Sequence, residues 1–261
     1  MRQRSAPRFT VALVALIAVA GAACGGGGDD DAQVAEPPES TATTAAAPGQ
    51  PAQTTLAPDT SWVASANGPE VAVFPEPDAP EPSHTLANPN ENGAPLVFLV
   101  DGPDVDGDWL PVHLPVRPNG SKGWVRTGDV TLARNQYRIT IELAAHRLTV
   151  HRGDQVSLET AIGVGTADTP TPGGIYYIKE LLQPPNPDGD YGPYAYGLSG
   201  FSNNPELATF NGGSGVIGIH GTNDPDSIGN DVSHGCIRVP NEVITQMADS
   251  LPLGTPVAIQ A

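Results

Sequence analysis

Lysine is almost missing from this chain of 261 residues; Lys122 and Lys179 are the only two. Lysine and arginine together number 12 against 29 acidic residues, a net charge of −17. Nucleic-acid binding needs a basic footprint that displaces counterions from phosphate, so it is excluded. Adhesion to anionic lipid through a basic surface fails on the same ground. Charged residues make up 16%, too few for a coiled coil or a long charged helix. There is no Gly-X-Y period and no internal repeat. The longest uncharged apolar run, Phe9 to Ala23, has its core in Val11 to Ala20, which falls short of the ~20 residues a bilayer span needs.

Turn formers are plentiful. Gly 30 and Pro 28 together make about 22% of the chain, against roughly 12% in average usage. Hydrophobic residues at 39% still suffice for a core, so most of the chain is expected to fold. Residues 1–23 have the form of an export signal: Arg2, Arg4 and Arg8 precede the apolar run, which ends at Gly21-Ala22-Ala23-Cys24. This resembles a bacterial lipoprotein signal, although Gly21 stands where a Leu-like residue is usual. The resemblance implies acylation of Cys24 and a membrane lipid anchor. Without residues 1–23 the chain carries 9 basic against 29 acidic groups, net −20. Residues 24–60 hold five prolines and no aromatic, Lys or Arg, too little apolar surface to repay ordering. They read as a tether with an r.m.s. reach of roughly 30–36 Å.

From Trp62 the pattern becomes β. Short strands are expected at Glu70–Phe74, Pro95–Val100, Trp109–Leu114 and Gly123–Val125, split by Pro/Asn/Gly turns. The Gly107-Asp-Trp-Leu-Pro-Val and Gly123-Trp-Val pattern over 61–132 resembles a bacterial SH3-like domain. Either a spacer or a wall-peptide binder fits that segment. Over residues 136–261, Tyr137–Leu143 and Arg147–His151 alternate apolar and polar as a hairpin. Further strands are expected at Val156–Val164, Ile175–Glu180, Val216–His220 and Pro256–Gln260. One helix is expected at Asn241–Leu251, with Val243, Ile244 and Met247 on one side. Stretches 165–174 and 184–215 read as long, functional loops.

With Cys24 assigned to export, Cys236 is left alone in the exported part, within Ser233-His-Gly-Cys-Ile-Arg238. Sixteen residues earlier, Gly218-Ile-His-Gly-Thr222 ends a strand on His220. A free thiol of pKa about 8.5 is only about 3% thiolate at pH 7. A neighbouring imidazolium or backbone N–H groups lower that pKa to about 6.5, giving roughly 25-fold more nucleophile. His220 is the candidate base, and the Gly235 and Cys236 amides an oxyanion hole. Ser233 and His234 would orient the turn or meet substrate. Two histidines and a cysteine also match the ligand number of a catalytic zinc site, and a lone cysteine can pair between molecules; both remain open.

His220-Gly-Thr followed by Ser233-His-Gly-Cys-Ile-Arg238 resembles the YkuD-type L,D-transpeptidase signature, a His-Gly, a short spacer, then Ser/Thr-His-Gly-Cys. Thr169-Pro-Thr-Pro-Gly-Gly-Ile-Tyr176 and Leu253-Gly-Thr-Pro-Val257 are similar to further family segments. The resemblance implies Cys236 as nucleophile, His220 as proton donor and acceptor, and Ser233, His234 and Gly235 lining the site. The Gly221 carbonyl would orient His220. Arg238 stands where many members have Asn, and with Tyr191, Tyr194 and Tyr196 it is a candidate substrate contact; these tyrosines and Phe201 would form a lid. The implied partners are peptidoglycan stem peptides, a donor tetrapeptide and an acceptor amine, with no metal or cofactor. The expected products are 3→3 cross-links; the alternatives are a trimmed stem if water is the acceptor, attachment of a protein to the wall on the same fold, or a non-catalytic wall-binding lipoprotein. The implied fold is mainly β: a small SH3-like β-barrel followed by a YkuD-type β-sandwich with one or few short helices.

Overall fold

The computed structural model describes residues 60–204 and 215–261. The expected signal, Cys24 and nearly all of the tether lie outside the described residues. Among the described residues strands dominate, as expected, with one short α-helix.

Seven strands occupy residues 61–135: β1 (Ser61–Ala66), β2 (Glu70–Val73), β3 (His84–Ala87), β4 (Val97–Leu99), β5 (Trp109–His113), β6 (Lys122–Arg126) and β7 (Val130–Asn135). They form the sheet β4-β1-β7 and the hairpins β2-β3 and β5-β6. Single bridges, Phe74 to Trp124 and Val100 to Val112, link the three into one order, β3-β2-β6-β5-β4-β1-β7. Alternation puts Val71, Val73, Leu110, Val112 and Val125 on the inside with Phe98. β1, β3 and β7 escaped the sequence reading. β3 shows why: His84-Thr-Leu-Ala87 is almost wholly exposed and carries no hydrophobic alternation.

Among the described residues the remaining strands and the α-helix are β8 (Tyr137–Glu142), β9 (Arg147–Arg152), β10 (Gln155–Ala161), β11 (Val164–Gly165), β12 (Gly174–Leu182), β13 (Ala195–Phe201), β14 (Val216–His220), β15 (Asp231–Ser233), β16 (Ile237–Arg238), α1 (Asn241–Ser250) and β17 (Pro256–Gln260). Eight of these strands make one sheet, β10-β9-β8-β17-β12-β13-β14-β16. The sheet curls until its ends meet. Gly163, just past β10 at one edge, exchanges both backbone hydrogen bonds with Arg238 of β16 at the other, each 2.9 Å. Ile139, Leu148, Ile178, Leu198, Ile219 and Ile237 thereby share one core, closed by Ile244 and Met247 of α1. At about 25 cal/mol per Å² of apolar surface removed from water, this shared core is the main stabilising contribution.

Two expectations change. The strand expected over Val156–Val164 divides into β10 and β11 around Ile162 and Gly163, where the chain leaves the edge. The loop expected over 184–215 contains β13, a buried strand in the middle of the sheet. Both parts of the described chain lie in a single compact unit. Val63, Val97 and Leu99 pack directly on Tyr177 of β12, forming a hydrophobic seam.

Candidate active site

Cys236 and His220 are brought together by strand pairing. β14 and β16 run parallel, with Ile219 opposite Ile237 and His220 opposite Arg238. Neighbouring strands lie about 4.8 Å apart, so the residue just before Ile237 sits beside Gly218 and Ile219. The Gly218 backbone N–H accordingly hydrogen-bonds the Cys236 sulfur. Gly218 has no room for a side chain, because a Cβ there would lie 2.5 Å from the Tyr196 carbonyl oxygen. The sequence reading named Gly218 only as the start of a motif and assigned it no role.

His220 is 5% exposed. Its Nδ1 lies 2.6 Å from the Gly221 carbonyl oxygen. A carbonyl only accepts, so Nδ1 carries the proton and Nε2 of the neutral ring is left as the acceptor. Burial drives the imidazole pKa down to about 4; the Gly221 carbonyl opposes this and the Arg238 charge adds to it. Burial likewise pushes the thiol pKa up, with the Gly218 N–H and Arg238 pulling it back. The expectation of a thiolate stabilised by imidazolium is therefore corrected. At neutral pH the pair rests as thiol and neutral imidazole, because desolvation penalises both charged forms.

The turn that presents Cys236 is tied by Ser233. Its buried hydroxyl donates to the Cys236 carbonyl at 2.6 Å and accepts the Gly235 N–H at 3.1 Å. Between them Gly235 takes φ +116°, a backbone that side chains other than glycine's rarely adopt. From outside, the Thr166 N–H and the Thr169 hydroxyl both donate to the Ser233 carbonyl, at 3.1 and 3.0 Å. The loop expected over 165–174 is thus a brace for the turn. His234 is exposed and lines the cleft. Arg238 approaches Asp224 at 3.6 Å and lines the cleft from its β16 position.

The tyrosines separate. The Tyr191 ring, 56% exposed, lies over His220 with centroids 4.7 Å apart. Burial and the nearby Cys236 push its hydroxyl pKa up. The segment before β13 reaches this position because Gly192, at φ +62°, packs backbone to backbone on Gly221. The Asn241 side chain holds the same spot by accepting the Thr222 N–H at 2.8 Å. Tyr194 packs against the core. Tyr196 is 1% exposed and donates its hydroxyl to the Met247 carbonyl at 2.8 Å, so its ring is core rather than lid. Phe201 ends β13 beneath the Arg117 guanidinium and is likewise no lid.

His220, Cys236, His234 and Arg238 face a cleft of about 730 Å³. Glu180 and Asp190 also line it, and the sequence reading missed both. Nothing in their neighbourhood along the chain marks them; only the fold brings them in. Among the described residues no three His, Cys, Asp or Glu side chains are grouped to hold a metal ion.

A family model described as the L,D-transpeptidase catalytic domain, YkuD, matches residues 136–259. The YkuD proteins of Bacillus licheniformis and of Bacillus subtilis strain 168, provisionally named L,D-transpeptidases, are each 37% identical to this chain over 123 residues. Those alignments cover 47% of this chain and 65% of theirs, so it spans less than two thirds of the length of these relatives. Among solved structures, Bd1075 of Bdellovibrio bacteriovorus is 31% identical, with 48% of each chain covered. Its TM-score of 0.37 is too low to bear on the fold. The likeness to the YkuD L,D-transpeptidase catalytic domain thus extends over residues 136–259, just under half of the chain, and takes in both His220 and Cys236.

Proposed function

We propose that the protein is an extracytoplasmic peptidoglycan L,D-transpeptidase that works through a Cys236 acyl-enzyme. The observation that carries this reading is the pairing in one cleft of a half-buried thiol and an imidazole whose Nδ1–H is committed to a carbonyl. His220 Nε2 takes the thiol proton as Sγ attacks the carbonyl of the third residue of a tetrapeptide stem. Because both groups start neutral, proton transfer and attack are coupled, and charge appears only as the new bond forms. The Cys236 backbone N–H stabilises the oxyanion, and the Gly235 N–H expected beside it is instead held by the Ser233 hydroxyl. The C–N bond to the terminal D-Ala breaks, and His220 returns the proton to the departing amine. An amine of a second stem then attacks the thioester, His220 accepts its proton, and the sulfur leaves and is reprotonated. The product is a 3→3 cross-link.

Arg238 presents its charge to the donor's terminal carboxylate, Tyr191 covers the imidazole, and His234 stands at the rim. Acylated Cys24 and the 24–60 tether would hold the enzyme at the outer face of the cytoplasmic membrane, within reach of the wall. The test is to incubate the protein with a stem tetrapeptide and follow products by mass. Release of D-Ala together with a cross-linked dimer supports the reading, and both must vanish in Cys236→Ala. Release of D-Ala without dimer would make water the acceptor, and the enzyme an L,D-carboxypeptidase.

A further inference from the structure

The first seven strands grip the catalytic sheet at two places, each next to the cleft. At the first, the Asn90 side-chain N–H donates to Glu180 Oε2 at 2.8 Å and that of Asn92 donates to the same oxygen at 3.0 Å. Glu180 is a carboxylate only 2% exposed, on β12. Its other oxygen, Oε1, lies 3.3 Å from Lys179 Nζ and fills the space left by the missing Cβ of Gly197. Asn90 meanwhile accepts the N–H groups of Asn92 and Ala94 at 3.0 and 2.9 Å, which shapes the loop and leaves its amide N–H no choice but the carboxylate. That loop brings Glu91 and Asn92 into the wall of the cleft that holds Cys236.

At the second grip, Asn119 imitates a neighbouring strand. Its side chain donates to the Phe201 carbonyl and accepts the Phe201 N–H, both at 2.8 Å. The Arg117 guanidinium donates to the Ser202 carbonyl at 3.0 Å and stacks 4.7 Å from the Phe201 ring centroid. Phe201 pairs with Val216 at the start of β14, the strand that ends on His220. Ser202 lines the cleft beside Gly235.

We propose that residues 60–135 are a working part of the substrate cleft: Asn90 and Asn119 are positioning residues, and Glu91 with Asn92 form a wall that sets how tightly the donor peptide binds. This rests on the cleft being the site of acyl transfer. A module that only tethers or recognises wall would need none of these directional bonds. A buried carboxylate, by contrast, requires its donors, and two come from the other side of the seam.

The variants Asn90→Asp and Asn119→Asp test this in the full chain. Each keeps shape and acceptor oxygen, so the turn at Asn90 survives, but each turns the seam donor into an acceptor facing Glu180 or the Phe201 carbonyl. Neither residue lines the cleft. Donor KM is expected to rise about tenfold with kcat changed less than about twofold, the signature of lost substrate binding rather than lost chemistry. Unchanged KM in two folded variants overturns the proposal, even if the melting temperature falls. Alkylation of Cys236 by iodoacetamide separates this from failure of the transpeptidase reading itself. If the wild type turns over no stem peptide, a change of about threefold or more in alkylation rate in the variants still supports the seam as a cleft wall. An unchanged rate overturns it. Should Asn119→Asp not fold, Asn90→Asp at the opposite grip carries the same reading.

Discussion

The buried imidazole of His220, with its pKa drawn down to about 4, leaves a trace in the stability of the protein. The unfolded chain protonates this histidine near 6.5, so between pH 6.5 and 4 the unfolded state binds a proton that the folded state refuses. Stability is therefore full above pH 6.5 and declines as pH falls toward 4, by roughly 3 kcal/mol for this group once both pKa values are passed. His113 and His151 are also depressed by burial and add to the slope. Denaturant titrations across pH 4–7 should show a smaller decline for His220→Gln than for the wild type, and equal slopes would contradict the assignment. Gly218 belongs to the same scale. A methyl there meets the Tyr196 carbonyl and moves the N–H that hydrogen-bonds the sulfur, so Gly218→Ala should slow acylation of Cys236 about tenfold or more. Stopped-flow acylation measures it.

At the scale of elements, Tyr191 reaches His220 only because Gly192 and Gly221 touch. Gly192→Ala should lift that segment, let water reach the ring and raise the His220 pKa toward its ordinary value, read by NMR titration of the imidazole. A titration still near pH 4 would mean the strands alone keep the ring dry. These elements also show what the sequence could reveal. The residues of the candidate site were legible because they fall in two short runs, 218–222 and 233–238, whose chemistry needs nothing from the rest of the chain. β13 was illegible for a definite reason. Ala195-Tyr-Gly-Leu-Ser-Gly-Phe201 looks like a loop because of its two glycines, yet each is a point of close approach: Gly197 lies against the Glu180 carboxylate and Gly200 against the Tyr176 ring. The lid expected of Tyr196 failed with it, since a ring expected in a loop sits in a central strand. The thiol and imidazole pKa values went astray because burial depends on the closure of the sheet, which no local pattern reports.

At the scale of the molecule, the hydrophobic seam around Tyr177 and the two polar grips tie the first seven strands to the eight-stranded sheet. Calorimetry should therefore show one unfolding transition for residues 60–261 in the full chain. The double variant Asn90→Asp/Asn119→Asp should broaden or split it, whereas two resolved transitions in the wild type would show the parts to be independent. The central claim concerns Cys236, and the intact mass of the freshly reduced protein after incubation with a carbapenem tests it most directly, beside Cys236→Ala. A single covalent adduct on the wild type and none on the variant is predicted, because a cleft built to acylate this thiol should open the β-lactam ring onto it. An unmodified wild-type mass would contradict an acyl-enzyme at Cys236.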